Sequence, residues 1–145
     1  MAGALPSAAQ AQIPQLKSLT FNTTQINVGF SGPPISYVHV TAHVVEPVSG
    51  LKYGLFSLTP VNYYGKTVLF DSSSRTSGTA QDGIYESDVA LYQFSTIGDW
   101  NASVYLYGSG STKPVDATVT TAQLQALGPY WYVSVLGGPD ISPPA

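Results

Sequence analysis

From Ile35 to Val45 the chain reads ISYVHVTAHVV, eleven residues in which small apolar and polar side chains alternate without a break. Alternation with period two puts Val38, Val40, Ala42 and Val44 on one face of a strand. Tyr37, His39, Thr41 and His43 then share the other, with Ile35 as the aliphatic residue on that side. One buried and one more polar face describe an antiparallel sheet packed on a core. The 11 prolines and 14 glycines punctuate the rest of the chain in the same manner, and almost nothing between them has helical spacing. Strands are expected at Leu16–Asn22 (with a continuation from Gln25 to Phe30), Ile35–Val45, Leu51–Thr59, Lys66–Phe70, Ile84–Leu91, Trp100–Tyr107 and Tyr130–Leu136. Ala117–Thr120 reads as a short extended or helical piece. Thr121–Leu127 reads as one helical turn closed by Gly128. The run from Asp71 to Gly83 is a long loop or a loop with an edge strand.

No strand–helix–strand alternation is present, so a parallel α/β sheet is excluded. The expected fold is all-β: a two-sheet antiparallel sandwich of immunoglobulin-like type with seven to eight strands. A length of 145 residues suits one domain with its own core. We expect that domain over 15–137. Residues 138–145, GPDISPPA, read as a linker tail. Residues 1–14 read as a flexible arm or as the remnant of a signal peptide, because Ala9-Gln10-Ala11 has the small-x-small form of a cleavage site.

Charge removes several functions. Charged residues make up only 9% of the chain and the formal net charge is −3. Nucleic-acid binding needs a basic stripe that five scattered Lys and Arg residues cannot form. No run approaches the ~20 apolar residues of a membrane helix. The chain has no cysteine, which excludes disulfides, thiolate metal sites and cysteine nucleophiles.

In Ile84–Leu91, Tyr85, Ser87, Val89 and Leu91 point one way, and Ile84, Glu86 and Asp88 the other. In the next strand Trp100, Ala102, Val104 and Leu106 form the inward set, so Trp100 is a core residue. Asp82-Gly83 and Gly98-Asp99 read as turns. The stretches SGTAQDGIYESDVAL, GDWNASVYLYG, TAQLQALG and YWYVSVLG, with LKSLTFNTTQINV and YVHVTAHVVEPVSGL before them, resemble immunoglobulin-like modules of secreted and surface bacterial proteins, of the adhesin-repeat type. The residues that carry the likeness are Gly78, Thr79, Asp82, Gly83 and Tyr85; Gly98 and Trp100; and Leu124, Leu127 and Gly128. The chain departs from the pattern after Tyr107, where GSGSTKPVD replaces an Asp/Asn-Gly turn. The resemblance implies a non-catalytic module, secreted or at the cell surface, with a structural or adhesive role.

Chemistry-bearing residues are few. Glu86 and Asp88 lie on one strand face about 6.7 Å apart, a common spacing with no apolar pocket implied beside it. His39 and His43 are about 13 Å apart on a strand, too far to share one metal ion, and read as surface histidines. No catalytic residue is expected, and no cofactor other than calcium. For calcium, Asp71, Asp82 and Asp88 flank a Ser/Thr/Gly-rich loop and are the candidate ligands. Tyr53, Tyr63, Tyr64, Tyr105, Tyr107, Tyr130 and Tyr132 are the candidate binding surface, because tyrosines stack on sugar rings and are enriched at protein interfaces. Expected partners are other protein chains, copies of this chain in a filament built by strand addition, or carbohydrate. Asn22 and Asn101 open two glycosylation sequons. Lys17 has no Asn or Asp on the last strand with which to form a cross-link.

Overall fold

A computed structural model describes residues 13–110 and 115–137. The arm at 1–12, the tail at 138–145 and part of the GSGSTKPVD segment lie outside the described residues. In chain order the elements are β1 (Gln15–Phe21), β2 (Gln25–Asn27), β3 (Ile35–Val45), β4 (Leu51–Pro60), β5 (Lys66–Phe70), β6 (Arg75–Gly78), β7 (Asp82–Tyr92), β8 (Gly98–Gly108), β9 (Asp116–Val119), α1 (Thr121–Leu127) and β10 (Tyr132–Leu136). They form a sandwich. One sheet has the order β1-β3-β7-β6; the other runs β2-β10-β8-β4-β5, with β9 also paired to β8.

The alternating segments fold as their pattern requires. Val38, Val40, Ala42 and Val44 from β3 and Tyr85, Val89 and Leu91 from β7 are buried against Phe56, Leu58, Trp100, Val104 and Leu106 from the facing sheet. Aromatic contacts cross the gap: Phe21 meets Phe56 edge-on at 5.6 Å, and Phe70 lies 6.3 Å from Tyr85. Each fully buried Val, Leu or Phe stabilises the sandwich by roughly 1.5–3 kcal/mol. Trp100 is anchored further by its indole N–H, which donates to the Thr96 carbonyl at 2.7 Å.

Four expectations need correction, the first being the Gly98-Asp99 turn, since both residues lie in β8 and pair with Val135 and Ser134 of β10. Ten strands stand among the described residues, not seven or eight. The first strand breaks at Asn22–Thr24, where Thr23 turns the chain through its hydroxyl, and the continuation crosses to the other sheet as β2. There β2 runs parallel to β10, pairing Gln25 with Ser134 and Asn27 with Leu136, so that sheet is mixed and not purely antiparallel. The Asp82-Gly83 turn is also displaced. Thr79 and Asp82 exchange backbone hydrogen bonds at 2.9 and 3.2 Å, which makes Ala80-Gln81 the turn and places Asp82 and Gly83 in β7.

Helix α1 starts on a capping box. Thr120 Oγ1 accepts from the Gln123 N–H at 3.2 Å, and Gln123 Oε1 accepts from the Thr120 N–H at 2.8 Å. Gly128, at φ 149°, ends it. None of the described helices is long and apolar enough to cross a membrane.

Candidate functional site

The outer face of the four-stranded sheet carries a ladder of histidines and acids. Pairing of β3 with β7 sets His39 opposite Asp88, Thr41 opposite Glu86 and Val45 opposite Asp82. The His39 ring lies between two carboxylates, with Nδ1 2.8 Å from Asp88 Oδ1 and Nε2 2.6 Å from Glu86 Oε1. Thr76 on β6 donates its hydroxyl to Glu86 Oε2 at 2.5 Å. Farther along, His43 Nε2 is 2.6 Å from Asp82 Oδ1. Only a doubly protonated imidazole donates from both nitrogens. The hydrogen bonds to Glu86 and then Asp88 accordingly raise the His39 pKa above its ordinary value. Glu86 is lowered, first by Thr76 and then by His39. His39 and His43 are surface residues, but each is tied to an acid on the neighbouring strand. Reading along one strand cannot reveal that pairing.

The outer face of the six-stranded sheet carries the aromatic surface. Tyr53 and Tyr107 are cross-strand partners and stack with centroids 5.3 Å apart and planes 7° from parallel. Tyr105 lies 6.4 Å from Tyr53. Its hydroxyl donates to Asp116 Oδ2 at 2.9 Å, and the carboxylate pushes that phenol up to about 12. Lys52 Nζ sits 5.8 Å from the Tyr107 ring. The patch continues through Leu55, opposite Tyr105, to Leu69. Beside it runs a belt of hydroxyls: Ser57 and Thr67 are hydrogen-bonded at 2.8 Å, and Ser103 pairs with Ser57.

The seven tyrosines do not make one surface. Tyr63 and Tyr64 stand fully or mostly exposed in the β4–β5 turn. Tyr130 packs on the core with its ring 5.5 Å from Phe21, and Tyr132 is half-buried at 4.6 Å from Trp131. Tyr53, Tyr105 and Tyr107 remain as the cluster. Asn101 is exposed on the same face, opposite Thr59 and Tyr132. Asn22 is exposed, and its Oδ1 accepts from the His39 N–H at 2.8 Å.

The calcium candidates do not converge. Asp82 and Asp88 lie six residues apart on β7, about 20 Å along the strand. They pair with His43 and His39. Asp71 follows β5 in the other sheet, where Oδ1 accepts from the Ser73 hydroxyl at 2.6 Å and its N–H at 2.9 Å. Those bonds, the hydroxyl first, lower its pKa. Among the described residues no cluster of three or more His, Asp or Glu is arranged to hold a metal ion.

Two features escaped the sequence reading. Glu46 is completely buried behind β3 and accepts the N–H groups of Val48, Ser49 and Gly50. Phe30 and Phe94, in two different loops, meet edge-on at 5.1 Å and are mostly exposed, with exposed Ile97 in the Phe94 loop. Phe94 holds φ at 68°, unusual for a bulky residue. The signal available for the pair was a lone Phe in each of two charge-free loops.

A scan against family models and a search of curated proteins both find no match. Among solved structures, two crystal forms of a bacterial adhesin from Mobiluncus mulieris, described as containing intramolecular disulfide, isopeptide and ester bond cross-links, are similar at 12% identity with TM-scores of 0.37 and 0.36. The match covers 72% of this chain and 46–47% of the adhesin chain, so it spans less than half of that chain.

Proposed function

We propose that this chain is a non-catalytic module, secreted or held at a cell surface, that works by adhesive contact. The observation that carries this reading is the cluster of Tyr53, Tyr105 and Tyr107 with Leu55 and Leu69 on the open face of the six-stranded sheet. Tyrosine supplies large, rigid contact area with a polar tip and little ordering entropy, which suits recognition on a flat face. On the other face His39 and His43 are paired across strands with Glu86, Asp88 and Asp82. An immunoglobulin-like reading of the sandwich is supported by the strand orders. In such folds the first, second, fifth and fourth strands of the framework share one sheet, and the third, sixth and seventh share the other. Here β1, β3, β7 and β6 stand on one side, and β4, β8 and β10 on the other.

Carbohydrate recognition is a second reading of the same face. Its support is the stacked Tyr53–Tyr107 pair beside the hydroxyls of Ser57, Thr67 and Ser103, since sugars present apolar ring faces and hydroxyl edges together. A solid-phase panel of polysaccharides and matrix proteins, probed with wild type and with the Tyr53→Ser/Tyr107→Ser variant, separates the two. Saturable binding to a polysaccharide, lost in the variant, favours sugar. Binding to protein, lost in the variant, favours protein adhesion. Binding that the variant retains places the contact elsewhere.

A further inference from the structure

Three loops turn at one end of the sandwich. They are β2–β3 (28–34), β4–β5 (61–65) and β7–β8 (93–97), and strand pairing puts them there: Ile35 faces Tyr92, Lys66 faces Leu58 and Trp100 faces Pro60. Their sequences, VGFSGPP, VNYYG and QFSTI, hold no charged residue. Most of the exposed large apolar side chains among the described residues stand at this end. Phe30 is 75% exposed and Tyr64 100%, and Val61, Tyr63, Phe94 and Ile97 are exposed in the same loops. Carried on separate loops and open to this degree, these side chains project and do not line a groove. Asn62 and Phe94, at φ 65° and 68°, are the non-glycine residues that hold positive φ among the described residues. Backbone strain of that kind gathers at functional sites.

Two of the loops spend their polar groups on each other. The Phe94 N–H donates to the Val28 carbonyl at 2.6 Å, and the Gln93 N–H to the Pro34 carbonyl at 2.8 Å. Gln93 Nε2 donates to the Gly29 carbonyl at 3.1 Å, and Asn27 Oδ1 accepts from the Gly29 N–H at 2.8 Å. The Ser95 hydroxyl donates to the Tyr92 carbonyl at 2.5 Å. Pro33 and Pro34 have no N–H to satisfy. A protein partner would look for about one hydrogen bond per 100–200 Å² of contact. Hydrocarbon offers none, so a segment that enters lipid must satisfy its own polar groups. These loops fit the second demand better than the first. We propose that this end of the sandwich dips into the interface of a lipid bilayer. Phe30, Val61, Phe94 and Ile97 enter the acyl boundary, and the Tyr63 and Tyr64 hydroxyls stay at headgroup level. Lys66 and Asp99 are the charges nearest to the loops in the chain, and they set the depth of entry. Lys66 Nζ lies 4.7 Å from the Tyr92 ring, which holds that cation at the base of the loops, where lipid phosphates lie. The contact is separate from the Tyr53–Tyr107 pair, which stands about 23 Å back along β4 from Pro60.

The test is co-sedimentation of the full chain with vesicles of phosphatidylcholine alone and of phosphatidylcholine mixed with phosphatidylserine. Phe30→Ser/Phe94→Ser removes two exposed rings, and circular dichroism checks its fold. The full chain is expected to bind both vesicles, at high salt as well as low, because the contact is mainly apolar. The double variant is expected to bind at least about tenfold more weakly, the partitioning that one buried Phe ring supplies. Tyr53→Ser/Tyr107→Ser is expected to bind vesicles as wild type does, so a failure of the adhesive reading leaves this result untouched. Phe94→Trp gives a second readout. Phosphatidylcholine brominated on its acyl chains is expected to quench the added emission, measured over the wild-type background of Trp100 and Trp131. A full chain that binds neither vesicle, equal binding by Phe30→Ser/Phe94→Ser, or Phe94→Trp emission that brominated lipid leaves unquenched overturns the proposal. A dimer that dissociates in the double variant, with no vesicle binding, also overturns it and assigns the loops to a second copy of this chain.

Discussion

His39 Nε2 lies 2.6 Å from Glu86 Oε1, across the pairing of β3 with β7. The contact makes stability depend on pH in both directions. His39 is raised above its ordinary 6.5, so its contribution is complete below 6.5 and is lost as pH rises through the folded value. Glu86 is lowered from its ordinary 4.5, so its contribution is complete above 4.5 and is lost as pH falls through the folded value. The pair therefore stabilises most between 4.5 and 6.5. Thermal unfolding of wild type and His39→Gln from pH 4 to 9 should show the largest Tm difference in that window and a shrinking one above it. A difference that does not vary with pH contradicts this.

Glu46 caps the β3–β4 turn from inside. Its carboxylate accepts the Ser49 N–H at 2.5 Å and the Gly50 N–H, and Gly50 holds φ at 86°. Hydrogen bonds to a charged group contribute about 1.5–3 kcal/mol each, and a buried donor left without one adds its desolvation cost. Glu46→Ala should destabilise by about 3 kcal/mol in urea unfolding with an unchanged m-value. Glu46→Gln, which keeps one acceptor oxygen, should lose less. A loss below about 0.5 kcal/mol for the alanine variant contradicts the capping role.

Tyr85 presents the opposite case. Its side chain is buried between the sheets, and among the described residues its hydroxyl has no hydrogen-bond partner. A buried hydroxyl without a partner costs about 1–3 kcal/mol. Tyr85→Phe should therefore leave stability unchanged or raise it by about 1 kcal/mol. A loss of that size would mean that the hydroxyl bonds to a buried water.

Tyr105 should report on its own environment. Absorbance titration should resolve one tyrosine ionising near 12, well above the ordinary 10.0, because its hydroxyl donates to Asp116. Asp116→Asn should bring that step down towards the ordinary value. An unchanged titration in the variant contradicts the Tyr105–Asp116 contact.

These residues also mark how far the sequence could be read. The strands at Ile35–Val45 and Lys66–Phe70 and the helix at Thr121–Leu127 were legible to the residue, because period two and a closing glycine are local properties. The inward placement of Trp100 followed from the same alternation. Pairing between strands is not local. Nothing near His39 in the chain announces Glu86, which is 47 residues away. Nothing in Gln25–Asn27 announces a parallel partner at Ser134–Leu136. The seven tyrosines divided because β-propensity places tyrosine on either face of a sheet, and only packing decides which. Tyr130 went to the core, while Tyr53 and Tyr107 met outside it.

The adhesive reading is tested most directly by attachment itself. The chain would be displayed on an otherwise non-adherent cell or bead, and detachment under shear measured on the surface that the binding panel selects. The account predicts that wild type resists a higher shear than a bare carrier, and that Tyr53→Ser/Tyr107→Ser detaches as the carrier does. Equal detachment of wild type and bare carrier, with the displayed chain folded, contradicts it.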